Sequence, residues 1–442
     1  MPRPRRSAPR RPVAPAAVDP EVGREVDLEV GPVAHGGHCV ARLDGRVVFV
    51  RHTLPGERVR ARVTETGKRF WRADAVEVLE ASEDRVPSAW PEAGPGGVGG
   101  GELAHVSLPA QRRWKAAVLA EQLARLARLD RPVEVEAAPG DEERAGLGYR
   151  TRIELAAGAD GRAGMRRFRS HDVVPLTGMP LATDRVAALA EAEGVWTRRW
   201  EPGARLELVA PAGESAEPLL LVDGTPWRRG RADTRPNARR AVAETLRLRA
   251  VDGDGGGDLH YRVAADGFWQ VHREAPGLLA GAVLDAVGDV AGGRVLDLYS
   301  GAGLFTLPLA RAVGDAGTVV AVESDARAVK DARRNAHDLP QVDLRLGAVD
   351  RVLASGDVAG APVGDADVVV LDPPRAGAGR GVVDAIAERS PRRVVYVACD
   401  PAALARDVAY LAERGYELAD LRAFDLFPHT HHVEAVAVLR RA

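Results

Sequence analysis

Between residues 294 and 398 five short apolar runs recur at regular spacing: RVLDLYS, TVVAVES, VDLRLG, DVVVLD and RVVYVA. Each is followed by a helical or Ala-rich stretch, and strands alternating with helices imply a doubly wound parallel sheet, an α/β fold. The end of the chain differs. YELADLRAFDLF and HVEAVAVLRR are joined only by PHTH, and so short a connection makes antiparallel neighbours. The expectation is a Rossmann-like parallel sheet whose last strand is reversed.

The rest of the chain has other rhythms. From Glu25 to about Glu80, Val-rich runs alternate with Gly-rich turns, the pattern of a small OB-like β-barrel, a common nucleic-acid surface. Cys39 lies within it as a buried small hydrophobe. After the loop AGPGGVGGG (93–101), a helix begins near Pro109, with Trp114, Val118, Leu119, Leu123 and Leu126 on one face. At roughly 150 residues per domain, 442 residues suggest about three domains. The expected division is a basic disordered tail over 1–20, a barrel over 21–82, a mixed α+β central domain over 83–262 and the α/β domain over 263–442. DGDGGGD (252–258) reads as a mobile hairpin or linker.

Composition excludes several classes. No window approaches the roughly 18 apolar residues of a membrane span, and the Arg/Pro-rich N-terminus lacks the apolar core of a signal peptide. A cytoplasmic monomer without membrane contact is expected. Two cysteines, Cys39 and Cys399, are too few for a disulfide framework or a Cys-based zinc site. A net charge of −2 rules out a uniformly basic protein and leaves local basic patches open. Five Arg precede the first acidic residue, Asp19; a solubilising tail is the simpler reading, contact with nucleic acid the alternative.

In open α/β sheets, ligands bind beyond the carboxyl ends of the strands. There stand Asp297, then Gly301 and Gly303 in a tight turn; Thr306 occupies the position of the third glycine of a dinucleotide fingerprint, which therefore fails. Glu323 ends the second strand, 26 residues after Asp297, placed to accept hydrogen bonds from ribose hydroxyls or to cap a helix. Asp372 is followed by two prolines, which fix it at the sheet edge or simply terminate the strand. Cys399 ends the fifth strand just before a helix N-terminus, a setting that favours thiolate. Reversal of the final strand brings Glu434 towards Cys399, so a thiol and a carboxylate face one crevice.

The segments DGFWQVH, LDLYSGAGLFTLPLA, VLDPPRAG, VYVACDPAALARDV and FDLFPHTHHVEAVAVL resemble, in order, the motifs of the S-adenosylmethionine-dependent RNA uracil-5-methyltransferases, and the N-terminal barrel resembles their TRAM domain. The resemblance covers nearly the whole chain. It implies that Gln270, Tyr299, Glu323 and Asp372 contact S-adenosylmethionine, that Cys399 is the nucleophile and that Glu434 is the base. Uracil C5 is too electron-poor to attack a methyl sulfonium until a thiolate adds at C6; a base then removes the C5 proton so that the thiol can leave. The target base must be flipped from structured RNA. The TRAM-like barrel favours 23S rRNA over tRNA as the partner, by family analogy alone.

Departures from the family pattern are equally specific. Four cysteines that ligate an iron–sulfur cluster in many members correspond here to Trp90, Val98, Gly101 and Met179, so no cluster is expected. A common Asn is Leu304, which puts one hydrogen bond in doubt. His429, His431 and His432 invite a metal reading, but on a strand the last two would face opposite sides, and no metal is expected. Two alternatives remain: an amino-group methyltransferase, against which Arg375 and Cys399 argue, and an inactive RNA-binding protein of the same fold.

Overall fold

The computed structural model describes residues 20–213, 215–248, 257–355 and 364–442. The basic tail up to residue 19 and most of DGDGGGD lie outside the described residues. The described residues divide into two compact units, residues 20–32 with 38–82, and residues 33–37 with those from 83 onward.

The first unit is a closed barrel of β1 (Glu25–Ala34), β2 (His38–Leu43), β3 (Arg46–Arg51), β4 (Arg58–Glu65) and β5 (Phe70–Glu80), in the order β1-β2-β3-β5-β4. Strict alternation builds it: Val26, Leu28 and Val30 point inward, as do Val59, Ala61 and Val63. Between the latter, Arg58, Arg60 and Arg62 point outward and pair with Glu80, with Asp27 and Glu77, and with Glu25. Cys39 is fully buried.

The second unit opens with α1 (Leu108–Gln122) and β6 (Val135–Ala137). A seven-stranded sheet follows, made of β7 (Arg152–Ala157), β8 (Ala163–Arg166), β9 (Val173–Pro175), β10 (Arg205–Val209), β11 (Leu219–Val222), β12 (Thr225–Arg228) and β13 (Arg231–Ala232), with α2 (Asp184–Ala192) against it. A hairpin, β14 (Ala241–Arg247) and β15 (Asp258–Ala264), leads to α3 (Ala275–Val287).

The remaining elements alternate as the sequence implies: β16 (Arg294–Leu298), α4 (Thr306–Val313), β17 (Thr318–Glu323), α5 (Ala326–Asn335), β18 (Val342–Leu346), α6 (Val349–Ser355), β19 (Val368–Leu371), α7 (Gly379–Glu388), β20 (Arg393–Ala398) and α8 (Pro401–Ala412), then β21 (Tyr416–Asp425) and β22 (Glu434–Arg441). They form a sheet in the order β18-β17-β16-β19-β20-β22-β21-β6. Every pairing in it is parallel except those of β22, which runs against both β20 and β21. Alternate residues feed two cores. Leu296, Leu298, Val369 and Leu371 face one, with Leu404, Val408 and Leu411 of α8; Val295, Val368 and Val370 face the other, with Leu279 and Val283 of α3. Each such side chain, fully buried, contributes about 1.5–3 kcal/mol relative to exposure. Coverage on both faces is why these runs read as unbroken hydrophobic stretches.

Candidate active site

The chain order reverses between β16 and β19, and the crevice beyond their carboxyl ends collects the polar groups. The turn after β16 is tightly constrained. Tyr299 (φ 65°), Gly301 (φ 55°) and Gly303 (φ 94°) are left-handed, and the amides of Tyr299 and Ser300 both donate to the carbonyl of Val322, at 2.9 and 3.1 Å. A tyrosine in this region costs on the order of 1 kcal/mol, a strain typical of ligand-binding turns. Glu323 holds the turn from β17: one carboxylate oxygen accepts the Gly301 amide at 3.0 Å, the other the Asp325 amide at 2.7 Å. Asp297 is 1% exposed and accepts the Thr306 hydroxyl at 2.5 Å. Thr306, which breaks the glycine fingerprint, thus supplies the bond that steadies this carboxylate. Burial, with Glu323 nearby, still pushes Asp297 up to about 7.

Asp372 follows β19, its amide donating to the Leu298 carbonyl at 3.2 Å. Burial raises its pKa first, the charge of Asp297 second. The Pro-Pro turn continues into a loop pinned by Asp407, a fully buried residue that sequence reasoning passed over. Its carboxylate accepts the amides of Ala378 (2.7 Å) and Gly379 (3.2 Å) and the Tyr396 hydroxyl (2.7 Å). A signal existed: Asp407 sits among Leu404, Val408 and Leu411 on the apolar face of α8.

The β20–β22 ladder pairs Ala398 with Ala435, so the next residues outward are Cys399 on one strand and Glu434 on the other. Cys399 is half-buried and Glu434 is 2% exposed. Burial drives the Glu434 carboxyl well above its ordinary range, the charge of Asp372 adds to this, and Arg375 opposes it. The thiol departs from the sequence expectation. Rather than favouring thiolate, the site pushes Cys399 up to about 11, by burial first, then by Glu434 and Asp372, against Arg375. The helix N-terminus does not compensate, because Asp400 caps α8 by accepting the Ala403 amide at 2.8 Å and places another carboxylate beside the sulfur.

The segment between β21 and β22 is a loop, as the resemblance implies, so His431 and His432 do not alternate across a strand; their rings lie 4.1 Å apart. His431 faces Glu102 at 3.5 Å, and His432 faces the Arg375 guanidinium at 3.2 Å. Residues 103–149 hold the loop in place. Lys115 Nζ lies 2.5 Å from Asp425 and donates to the Phe427 carbonyl at 3.0 Å. The Tyr149 hydroxyl donates to the Pro428 carbonyl, and the Leu103 amide to the His429 carbonyl.

Gln270 is 7% exposed, between β15 and α3. The chain on either side of it is anchored: Trp269 packs on Tyr261, whose hydroxyl reaches the Leu304 carbonyl at 3.1 Å, and His272 bonds to Asp141 at 3.0 Å. Leu304 itself is buried in the α3 core, an apolar site suited to leucine. Trp90, Val98 and Met179 share one apolar cluster, and a Cβ at Gly101 would lie 2.9 Å from the Trp90 ring. These separated positions therefore converge and are filled with hydrocarbon. Among the described residues no group of three or more His, Cys, Asp or Glu is arranged to hold a metal ion.

A Cβ at Gly301 would meet nothing within 4 Å, so backbone is open there; Asp297 lies near the end of β16, Glu323 ends β17 and Asp372 follows β19.

Comparison with known proteins agrees with this architecture. A TRAM domain model matches residues 20–76, a model described as tRNA (Uracil-5-)-methyltransferase matches 363–442, and a Methyltransferase small domain model matches 278–394. The chain is 46% identical, over 95% of its length and 94% of the relative's, to a Streptomyces coelicolor protein described as an uncharacterized RNA methyltransferase. It is 44% identical, over 94% and 97%, to one so described from Bifidobacterium longum. A crystal structure of Pyrococcus abyssi tRNA (uracil-54, C5)-methyltransferase in complex with S-adenosyl-L-homocysteine shares the fold, with a TM-score of 0.64, 24% identity, and coverage of 93% of this chain and 100% of that one. No described helix is long and apolar enough to cross a membrane. With relatives this close along nearly the whole chain, the protein belongs to a family of TRAM-containing, S-adenosylmethionine-dependent RNA methyltransferases whose C-terminal region matches the tRNA (Uracil-5-)-methyltransferase model.

Proposed function

We propose that this RNA methyltransferase acts at C5 of a uridine in structured RNA, with Cys399 as nucleophile and Glu434 as base. The observation that carries the reading is the β20–β22 register, which sets a thiol beside a buried carboxylate whose raised pKa makes it a strong proton acceptor once ionised. Cys399 first loses its proton to solvent; the thiolate sulfur then adds to C6 of the flipped base, and the C5–C6 electron pair, displaced as an enolate, makes C5 nucleophilic. S-adenosylmethionine supplies an electrophilic methyl group to C5 and leaves as the neutral thioether. Glu434 then takes the C5 proton, the C5–C6 double bond re-forms, and the thiolate departs. Gln270, Tyr299, Glu323 and Asp372 are proposed to line the cofactor site, Glu323 towards the ribose hydroxyls.

The TRAM barrel favours 23S rRNA as substrate; the names of the matched family model and of the Pyrococcus enzyme favour tRNA. One experiment tests chemistry and substrate together. Labelled S-adenosylmethionine is incubated with total RNA lacking 5-methyluridine and with wild type, Cys399→Ala or Glu434→Ala. Label at uridine C5 that vanishes with Cys399→Ala is expected, and the size of the labelled RNA names the substrate. Undiminished methylation by Cys399→Ala would exclude the uracil-C5 mechanism, and absence of labelling would favour an inactive RNA-binding protein.

A further inference from the structure

The β12–β13 hairpin and the segment after it, TPWRRGRADTRPNARR (225–240), carry six arginines against one acid, Asp233, in a chain whose net charge is −2. Positive charge is thus concentrated here. Arg228, Arg229, Arg231, Arg235, Arg239 and Arg240 are all exposed.

The local geometry opposes such charge. Arg228 and Arg231 are paired across the ladder, where like charges destabilise. The turn between them is a two-residue hairpin with both residues left-handed, Arg229 at φ 53° and Gly230 at φ 76°. Asn or Gly is the low-cost choice at the first position, and an arginine there is strained. Asp233 is bonded to Arg235, at 2.6 and 2.8 Å; the hydrogen bonds of Arg239 and Arg240 go to backbone carbonyls, and Arg239 also lies 3.8 Å from the Glu217 carboxylate. The side chains of Arg229 and Arg231 have no described partner.

The hairpin is nevertheless firmly held. Both carboxylate oxygens of Glu193, itself 8% exposed, accept turn amides, from Arg229 and Gly230 at 2.9 Å each. Arg198 donates to the Gly230 carbonyl at 2.8 Å and lies over the rings of Trp200 and Trp227. A buried clamp therefore fixes the backbone while arginines project from it. They wall an open cavity of about 430 Å³ lined by Arg228, Arg229, Arg231, Ala232, Thr234 and Arg235, with Asp233 the one acid in the lining.

We infer that this clamped arginine hairpin is a docking surface for the phosphate backbone of the RNA substrate, away from the reacting uridine. The inference rests on the RNA reading above. Guanidinium forks match phosphate oxygens in pairs, and fixing the turn beforehand lowers the ordering cost of binding. Asp233 and Glu193 offset only part of the like-charge repulsion and strain of the hairpin, and arriving anions offset more.

The test combines Arg228→Ala, Arg229→Gly and Arg231→Ala. Arg229→Gly relieves the left-handed strain, so the variant is expected to melt no lower than wild type. RNA binding is measured in a Cys399→Ala background, where no methyl transfer is needed, from about 50 to 200 mM salt. The slope of log K against log salt is expected to shrink by about 2, at roughly 0.7–0.9 per lost phosphate contact. In the active background, KM for RNA rises tenfold or more with kcat retained. A control lacking three cations elsewhere, Lys330→Ala, Arg333→Ala and Arg334→Ala, is expected to change neither. An unchanged slope, equal changes in both triple variants, or poly-glutamate binding as tight as RNA would overturn the inference. Methylation with unchanged KM overturns it alone. RNA binding that the hairpin variant loses, with no uridine methylation by wild type, overturns only the uracil-C5 reading.

Discussion

The side-chain oxygen of Gln111 accepts the backbone N–H of His429 at 2.6 Å, while its nitrogen lies 3.2 Å from Nδ1 of the same residue and donates to the Val106 carbonyl at 2.8 Å. Gln111 is fully buried, and His429 has the left-handed φ of 66°. One amide on α1 thus fixes the loop that ends at Glu434.

Gln111→Leu would orphan the His429 amide at a cost of about 1–3 kcal/mol. Because the loop sits five residues before Glu434, the expected outcome is a fall in kcat of tenfold or more with KM for RNA nearly unchanged. Gln111→Glu, which keeps the accepting oxygen, is expected to recover part of the loss. Steady-state kinetics and a melting curve check both.

Glu434→Gln retains shape and burial but cannot take a proton. If carboxylate-assisted deprotonation releases the product, this variant is expected to stall after methyl transfer and accumulate an RNA–protein adduct that survives SDS. Cys399→Ala in the same gel should show none. A Glu434→Gln protein that turns over normally and leaves no adduct would remove Glu434 from its proposed role.

Asp372 has a pKa raised on folding, by burial and then by Asp297. A carboxyl raised on folding disfavours the folded state increasingly as pH climbs from the ordinary carboxylate range towards the raised value. Asp372→Asn removes this penalty. Its melting temperature is expected to match wild type near pH 4 and to exceed it by several degrees at pH 8, while S-adenosylmethionine binding is lost. Equal melting curves at pH 8 would refute the linkage.

The thiol supplies a separate pH signature. With Cys399 pushed up to about 11, its alkylation by iodoacetamide should be slow at pH 7.5 and still rising at pH 10. A sulfonium bound in the crevice adds positive charge, so S-adenosylmethionine is expected to shift the profile to lower pH more than neutral-sulfur S-adenosylhomocysteine does. Cys39, fully buried, should not compete.

The strands of the α/β sheet were legible because two-sided burial demands unbroken Val and Leu, and the reversal of β22 followed from the shortness of its connection to β21. Edge position then brought Asp297, Asp372, Cys399 and Glu434 to one crevice without knowledge of any contact. What escaped notice depends on distant pairing. Asp407 and Gln111 read as polar residues on helices, and only the folded chain shows the amides they serve. The thiol's protonation was misread for a related reason: the helix N-terminus was visible in sequence, whereas the burial that raises the thiol most is visible only in the folded chain. The arginine hairpin was obscured by a chain in which nearly all basic residues are arginine.

Strand β22 enters the sheet between β20 and β21, both of which precede it in the chain. A ribosome delivers the N-terminal side first, so during synthesis the thiol at residue 399 exists before the carboxylate at 434, and the β20–β22 pairing that juxtaposes them forms only once the later strand is made. A chain that ends before β22 would have the thiol without the carboxylate that the register sets beside it.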